Sequence, residues 1–439
     1  MSSTRRRVVI TGLGVVSPLG NTAESVWEAL LSQRSGVGRL TVVPADAFPT
    51  NVSAEARDFH GEIDDFGSMD KEAKKALRKG LKVMCRECLM GVAAAQHALH
   101  DAGLSPGKYD PARTGISYGS DYVLTLPEEF SEGIRQCLGE DGQFDFSRWA
   151  KEGMPKMSPL WLLKYLPNMP ASHLAIYNDL QGPNNSITLR EASPNLAVAE
   201  AFQIILRSRA DIMLCGATGT RLHPMKIVHA IQQEEVAPGD AAPERTSRPF
   251  DLNRTGMVLG EGAGAVVIEE LSSAMARGAT IYGEVLGGGA STVVERNLVA
   301  RRDQAMRNAL AAVLEHSETS PDDIGHLHAH GLSTHSGDAE EAWAITEVFG
   351  ARSKPIPVTA AKSYFGNLGA GGGMVELISS VLALSHGWLF PVLNYQTPDP
   401  ACPVSVATSA DAEPGSSFIN LNVTPQGQAS AVLVGQYAE

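Results

Sequence analysis

Cysteine is scarce in this 439-residue sequence: there are five, an odd number, spread thinly along the chain. That excludes a disulfide framework and fits a reducing, cytoplasmic compartment. Positive charge is also short, with 36 Lys and Arg against 49 Asp and Glu and a formal net charge of −13. Such a balance argues against non-specific binding to nucleic acid or to an anionic membrane surface. No apolar run approaches the length of a membrane-spanning helix. The run after Arg5-Arg6-Arg7 mimics a secretory signal for a few residues, but Gly12 and Gly14 interrupt it and no small-residue cleavage site comes after it. It reads instead as a strand over 7–11 entering a tight turn. There is no fixed-period repeat and no low-complexity segment. With 43% hydrophobic, 19% charged and 6% aromatic residues, the composition is that of an ordinary globular protein long enough for one large core or two packed ones.

Strand-like and helix-like segments alternate along the whole length, which predicts an α/β fold. Residues 71–104 form one long helical pattern, basic at first (Lys71, Lys74, Lys75, Arg78, Lys79, Lys82, Arg86) and apolar later. Residues 211–216 and 262–269 read as buried strands, 235–249 as a surface loop, and 303–316 as a helix with Met306, Leu310, Val313 and Leu314 on one face. A boundary near 270 divides the chain into segments 1–270 and 271–439. Cys85 and Cys88 have C-x-x-C spacing, but no second cysteine pair lies near. They read as two helix residues rather than a zinc or redox site.

Three segments carry chemistry. The first is Gly182-Pro-Asn-Asn-Ser-Ile-Thr-Leu-Arg-Glu-Ala-Ser-Pro, leading directly into a helical pattern. Ser193 is a natural N-cap and Pro194 a natural first helical residue, so Glu191 precedes a buried helix. Helix N-termini favour anions and activated nucleophiles, and here a carboxylate occupies a place that suits a thiol or hydroxyl. The second segment is Ile324-Gly-His-Leu-His-Ala-His-Gly-Leu-Ser-Thr. In a strand, His326, His328 and His330 share a face, which is open to three readings: a metal half-site, a catalytic histidine at the strand end, or ordinary strand histidines. The third, Val358-Thr-Ala-Ala-Lys-Ser-Tyr-Phe-Gly-Asn-Leu-Gly-Ala-Gly-Gly-Gly-Met-Val-Glu, places Lys362 and Asn367 in a Gly-rich turn before a helix. It lacks the order of a P-loop.

These segments, in this order, resemble the elongating β-ketoacyl-acyl-carrier-protein synthases of the thiolase superfamily. The resemblance covers nearly the whole chain. It includes the opening Arg7-Val-Val-Ile-Thr-Gly-Leu-Gly, the stretch Asn168-Met-Pro-Ala-Ser-His-Leu-Ala-Ile, and Ser247-Arg-Pro-Phe-Asp-Leu-Asn-Arg-Thr-Gly-Met-Val-Leu-Gly-Glu-Gly. It implies a thiolase-like fold: two similar α/β halves in a five-layer αβαβα arrangement, dimeric, with the site between the halves. The family condenses a cysteine-bound acyl group with malonyl-carrier protein, using two histidines and a supporting lysine and no cofactor or metal. By the motif match the cysteine falls on Glu191, the first histidine on His330, the lysine on Lys362, the second histidine on Asn367 and a further acid on Glu376. The family's glycine-rich gating loop falls on Asn422-Val-Thr-Pro-Gln, with Thr424 and Pro425 at the gate.

A carboxylate cannot carry an acyl chain as a thioester, so ordinary condensation is expected to be absent. The resemblance leaves two functions. One is a chain-length-factor-like partner of an active ketosynthase in fatty-acid or polyketide biosynthesis, as homodimer or heterodimer. The alternative is altered chemistry on carrier-bound acyl groups, such as malonyl decarboxylation or hydrolysis, using Glu191, His330 and Asn367. The resemblance also places acyl-carrier-protein docking on Arg78, Lys79 and Lys82, against the competing reading of a solvated helix face.

Overall fold

The computed structural model describes residues 6–44, 46–69, 71–239, 242–409 and 412–438. Five strands of the first half are β1 (Val8–Val16), β2 (Thr114–Ser120), β3 (Asn184–Ile187), β4 (Ile212–Thr220) and β5 (Leu259–Glu270). Five of the second half are β6 (Gly283–Thr292), β7 (His326–His328), β8 (Pro357–Thr359), β9 (Ser417–Val423) and β10 (Gln428–Gly435). The first half runs in the order β1-β5-β4-β2-β3 and the second in the order β6-β10-β9-β7-β8. The directions repeat as well. In each half the first two pairings are antiparallel and the last two parallel. Strands β1 and β6 pair antiparallel through Val8–Ile10 and Gly283–Val285, joining the halves.

Helices complete the layers: α1 (Lys71–Gly80), α2 (Arg86–Asp101), α3 (Met169–Asn178), α4 (Ser193–Leu206), α5 (Arg302–Ser317), α6 (His335–Phe349) and α7 (Ala370–His386). Helices α2 and α3 cover the first half from outside, and α5 with α6 covers the second. Between them α4 and α7 pack on each other and on strands of both halves. Helix α7 is buried on every side from Ala370 to Leu384, which its mostly small and apolar residues permit, with Glu376 paired to Lys362. Three apolar clusters fill the spaces between the layers: one around α4 and α7, one under α2 and one under α5. Among the described residues no helix is long and apolar enough to cross a membrane.

Three local expectations need correction. Strand β1 does not turn at Gly12-Leu13-Gly14 but continues to Val16. The glycines let α2 approach: a Cβ on Gly14 would run into the Ala94 carbonyl and the Ala98 amide. The long helix of 71–104 is two helices, separated by a 3₁₀ turn at Leu81–Val83. Helix α7 begins at Ala370, so Gly371, Gly372 and Gly373 lie inside it rather than in a preceding loop.

We expect Gly14→Ala to destabilise the fold by about 1–3 kcal/mol, because backbone atoms that cannot step aside occupy the Cβ position. A lowered urea midpoint with unchanged slope is the expected readout, and an unchanged midpoint would count against close packing at this position.

Candidate functional site

The parallel strands of each half end at the same edge, and the residues just beyond those ends build the site. Asp121 comes directly after β2, and Arg221 directly after β4. Strand β3 leads through a single 3₁₀ turn, Arg190–Ala192, into α4, and Glu191 sits in that turn. From the second half, His330 lies past the end of β7, Lys362 past β8 and Thr424 past β9. Asn367 lies just before α7.

Glu191 is 2% exposed. Its carboxylate is held by side chains rather than by the N–H groups of α4, where the sequence placed it. Arg221 Nη2 donates to Glu191 Oε1 in a close ion pair, and Asn367 Nδ2 donates to the same oxygen at 3.2 Å. Arg221 Nη1 lies 2.8 Å from Asp121 Oδ2, with both side chains almost wholly buried. Arg190 Nε lies 3.5 Å from Glu191 Oε2. Burial alone would raise the Glu191 pKa, but the field of Arg221, then that of Arg190, and the Arg221 hydrogen bond outweigh it. They hold the carboxyl well below its usual range. Ser193 is not the cap but the first residue of α4. Its hydroxyl accepts from the Leu189 amide at 2.7 Å and donates to the Ser120 carbonyl at 3.2 Å.

The second half supplies a different chemistry. Lys362 Nζ forms a close ion pair with Glu376 Oε1 and also donates to the His330 carbonyl at 2.8 Å. It lies 3.2 Å from His330 Nδ1. An ammonium has only hydrogens to offer, so His330 Nδ1 accepts and the ring proton sits on Nε2. Burial and the Lys362 charge both push the His330 pKa well below its usual value, so the ring is neutral. Asn422 Nδ2 donates to the other Glu376 oxygen at 2.6 Å. The Asn367 amide is oriented by the Gly369 N–H, which donates to its oxygen at 2.9 Å and leaves the NH2 group facing Glu191.

The structure brings Glu191, His330, Asn367, Thr424 and Pro425 to one pocket, with Lys362 and Glu376 behind His330. The free space there is about 10 Å³, room for one water at most. Its rim is tied down. Arg190 Nη1 donates to Gln233 at 2.7 Å and to Gln426 at 3.2 Å, and Arg302 pairs with Glu234 at 2.8 Å. Residues Thr424 to Gln428 form a tight turn closed by Thr424 N to Gln428 O at 2.9 Å. No cysteine lines this pocket among the described residues.

Arg78, Lys79 and Lys82 lie apart from the pocket lining and are exposed. His326 and His328 are in β7, but His330 lies beyond its end. His326 Nε2 and His328 Nδ1 both meet the Ser380 hydroxyl, at 3.0 and 2.7 Å, and the Ala361 amide donates to His328 Nε2 at 3.2 Å. These rings belong to core hydrogen bonding. Among the described residues no group of three or more His, Cys, Asp or Glu is arranged to hold a metal. Sequence reasoning missed Asp121, Arg190, Arg221 and Asn422. The one available signal was an arginine, Arg221, five residues beyond the stretch 211–216 that reads as a buried strand.

Two family models match the chain, the β-ketoacyl synthase N-terminal domain over residues 5–274 and its C-terminal domain over residues 282–396. The chain belongs to the β-ketoacyl synthase family. It is 32% identical over 401 residues to a 3-oxoacyl-(acyl-carrier-protein) synthase 2 of Synechocystis sp., covering 91% of this chain and 90% of that one. A β-ketoacyl synthase structure from Burkholderia phymatum superposes with a TM-score of 0.83 at 27% identity, covering 99% of this chain and 100% of that one. A structure described as the ishigamide ketosynthase/chain length factor gives a TM-score of 0.82 at 26% identity, again covering 99% of this chain and 100% of that one. The two repeated halves and five layers are therefore the thiolase-like ketosynthase fold.

Glu191→Gln keeps size and removes charge, and we expect it to cost about 3 kcal/mol, because Arg221 and Arg190 lose a buried counter-charge. A carboxyl held below its unfolded value stabilises the fold above that value and loses the effect as pH falls through the folded one. The gap between native protein and Glu191→Gln should thus be full at neutral pH and shrink as the pH falls below about 4. Urea denaturation across that range checks it. A gap independent of pH would show that the carboxylate charge is not what holds the network.

Proposed function

We propose that this β-ketoacyl synthase homologue does not itself condense acyl chains, and that it acts as a chain-length-factor-like partner of a cysteine-bearing ketosynthase. The observation that carries this reading is the clamp on Glu191. A carboxylate held ionised by a buried guanidinium cannot carry a thioester and is a poor proton acceptor. The space beside it, about 10 Å³, falls far short of the roughly 300–1,000 Å³ of a ligand pocket. The likeness to the ishigamide ketosynthase/chain length factor structure supports the same reading.

A second reading is favoured by one observation. His330 presents a neutral ring with its proton on Nε2, backed by Lys362 and Glu376, which is the kind of donor that stabilises a developing enolate. On that reading the protein decarboxylates or hydrolyses malonyl groups on a carrier protein, with Glu191, His330 and Asn367 in the pocket. Against it, the Asn367 amide already donates to Glu191.

In both readings an acidic acyl carrier protein docks on Arg78, Lys79 and Lys82. All three are exposed, and none has an ion-pair partner among the described residues. Reversing all three to Glu should weaken carrier-protein binding at least tenfold at low salt, a gap that narrows as salt rises. Equal binding by the triple variant would leave these residues as a solvated helix face.

Intact-protein mass spectrometry after incubation with acyl- and malonyl-carrier proteins separates the two readings. The partner reading expects no acyl adduct and no CO2 release from this chain alone. It also expects a changed product length when the chain is mixed with a cysteine-bearing ketosynthase. CO2 release that is lost in His330→Ala would favour the second reading. We further expect Glu191→Cys not to elongate chains, because Arg221, Asp121, Asn367 and the closed Thr424–Gln428 turn all remain. Substantial elongation by that single variant would show a ketosynthase disabled at one residue only.

A further inference from the structure

Two of the five cysteines stand side by side. Cys85 Sγ lies 3.6 Å from Cys88 Sγ, and both are free thiols. The reason is the start of α2. Cys85 is its N-cap, with extended backbone, and Cys88 is the third helical residue. An N-cap side chain folds back over the second and third residues of its helix, the geometry that lets a serine or aspartate cap an amide. A sulfur at each of those two positions brings the pair together.

The two thiols differ in setting. Cys85 is partly exposed and lines a cavity of about 520 Å³, with Met84, Leu126, Lys164 and Tyr165 among its walls. It sits at the N-terminus of a 16-residue helix, next to Arg86 in the chain. Cys88 is fully buried, with its sulfur 3.8 Å from the Lys164 carbonyl. One thiol is thus reachable from the cavity, and the other is shielded and within reach of the first. None of these groups belongs to the Glu191 pocket, so the inference stands apart from the functional reading above.

We propose that Cys85 and Cys88 form a redox-active dithiol, with Cys85 attacking small disulfides that enter the cavity and Cys88 resolving the mixed disulfide. In the first step the Cys85 thiolate bonds to one sulfur of an aliphatic disulfide RSSR, and the S–S bond of that molecule breaks to release RS⁻. In the second, Cys88 loses its proton to the departing thiolate and bonds to Cys85 Sγ, displacing the second RS group. The net change is two protein thiols and RSSR giving one protein disulfide and two RSH. The pair is oxidised by two electrons and the small disulfide is reduced by two.

Closure alters the local structure. An S–S bond is about 2.05 Å long, so the sulfurs must approach by roughly 1.5 Å from their separation of 3.6 Å. The turn that tightens carries Arg86 and Glu87. Arg86 pairs with Glu261 at 2.7 Å, and Glu87 forms a close ion pair with Lys226. Glu87 and Glu261 both wall the cavity, so its charged lining shifts with the redox state.

The test uses native full-length protein incubated with oxidised glutathione and then alkylated and digested with trypsin without reduction. Trypsin cleaves after Arg86, between the two cysteines, so the disulfide appears as the 83–86 peptide joined to the 87–108 peptide. The expected result is that linked pair, with alkylatable thiols falling from five to three and returning on addition of dithiothreitol. Cys88→Ser should hold one glutathione, on Cys85, and Cys85→Ser should hold none. In urea the selectivity should vanish, with adducts on all five cysteines. Absence of the linked peptide from the native protein would overturn the proposal without reliance on either variant. So would adducts on Cys137, Cys215 or Cys402 at the same rate as on Cys85.

Discussion

Arg221 lies between two carboxylates in a place where water cannot reach it, its side chain 1% exposed against Asp121 and Glu191. Taking a guanidinium and two carboxylates out of water costs several kcal/mol for each ion, and only close mutual contact offsets that cost. The three charges sum to −1, and Arg190 at the edge of the pocket brings the group to neutrality. Removing any one member leaves an uncompensated charge. The cluster therefore fixes the ends of β2 and β4 and the turn before α4 relative to one another. It also sets what remains of the pocket: Asn367 turns its amide hydrogens to Glu191, and Arg190 ties Gln233 to Gln426 across the rim.

The repeated strand order explains how so many polar groups converge. Each half carries two parallel pairings whose strands end at one edge, and α4 and α7 start close to those edges. Asp121 and Arg221 stand at the ends of β2 and β4. Their counterparts after β7 and β9 are His330 and Thr424. Glu191 before α4 has its counterpart in Asn367 before α7. The pocket is where the two sets face each other, so a change in either half alters the electrostatics of the other. One side is a charged clamp. The other is a neutral imidazole held by an ammonium–carboxylate pair, with Asn422 completing the second oxygen of Glu376.

That division bears on function. The second-half arrangement of His330, Lys362 and Glu376 suits polarisation of an oxyanion, whereas the first half brings no cysteine to the pocket among the described residues and leaves almost no room. The closed turn from Thr424 to Gln428 adds a rim held by its own hydrogen bonds and by those of Arg190 and Arg302. The shape-giving role proposed above would ask of this pocket only that it stay closed and charge-balanced, as the cluster of Arg221, Arg190, Asp121 and Glu191 is.

Motifs read from the chain were enough for the α/β class, the family resemblance and the identity of Glu191, His330, Lys362, Asn367, Thr424, Pro425 and Glu376 as neighbours, because each lies in a short segment whose residue order is itself distinctive. The clamp was not legible. Arg221 and Asp121 meet because β2 and β4 pair in parallel register, and nothing local to either residue encodes that pairing. Nor was the repeat visible, since strand order and direction constrain burial patterns and leave residue identities free. Gly12 and Gly14 read as a turn because a missing Cβ looks the same in sequence whether it serves a positive φ or a close helix approach. Cys85 and Cys88 read as ordinary helix residues because C-x-x-C spacing does not say where a helix begins, and only the break at Leu81–Val83 makes Cys85 an N-cap. The sequence by itself determined which side chains were available and which local segments carried them. The tertiary structure decided their charges and partners, because burial and cross-half contact set the free energy of a buried ion.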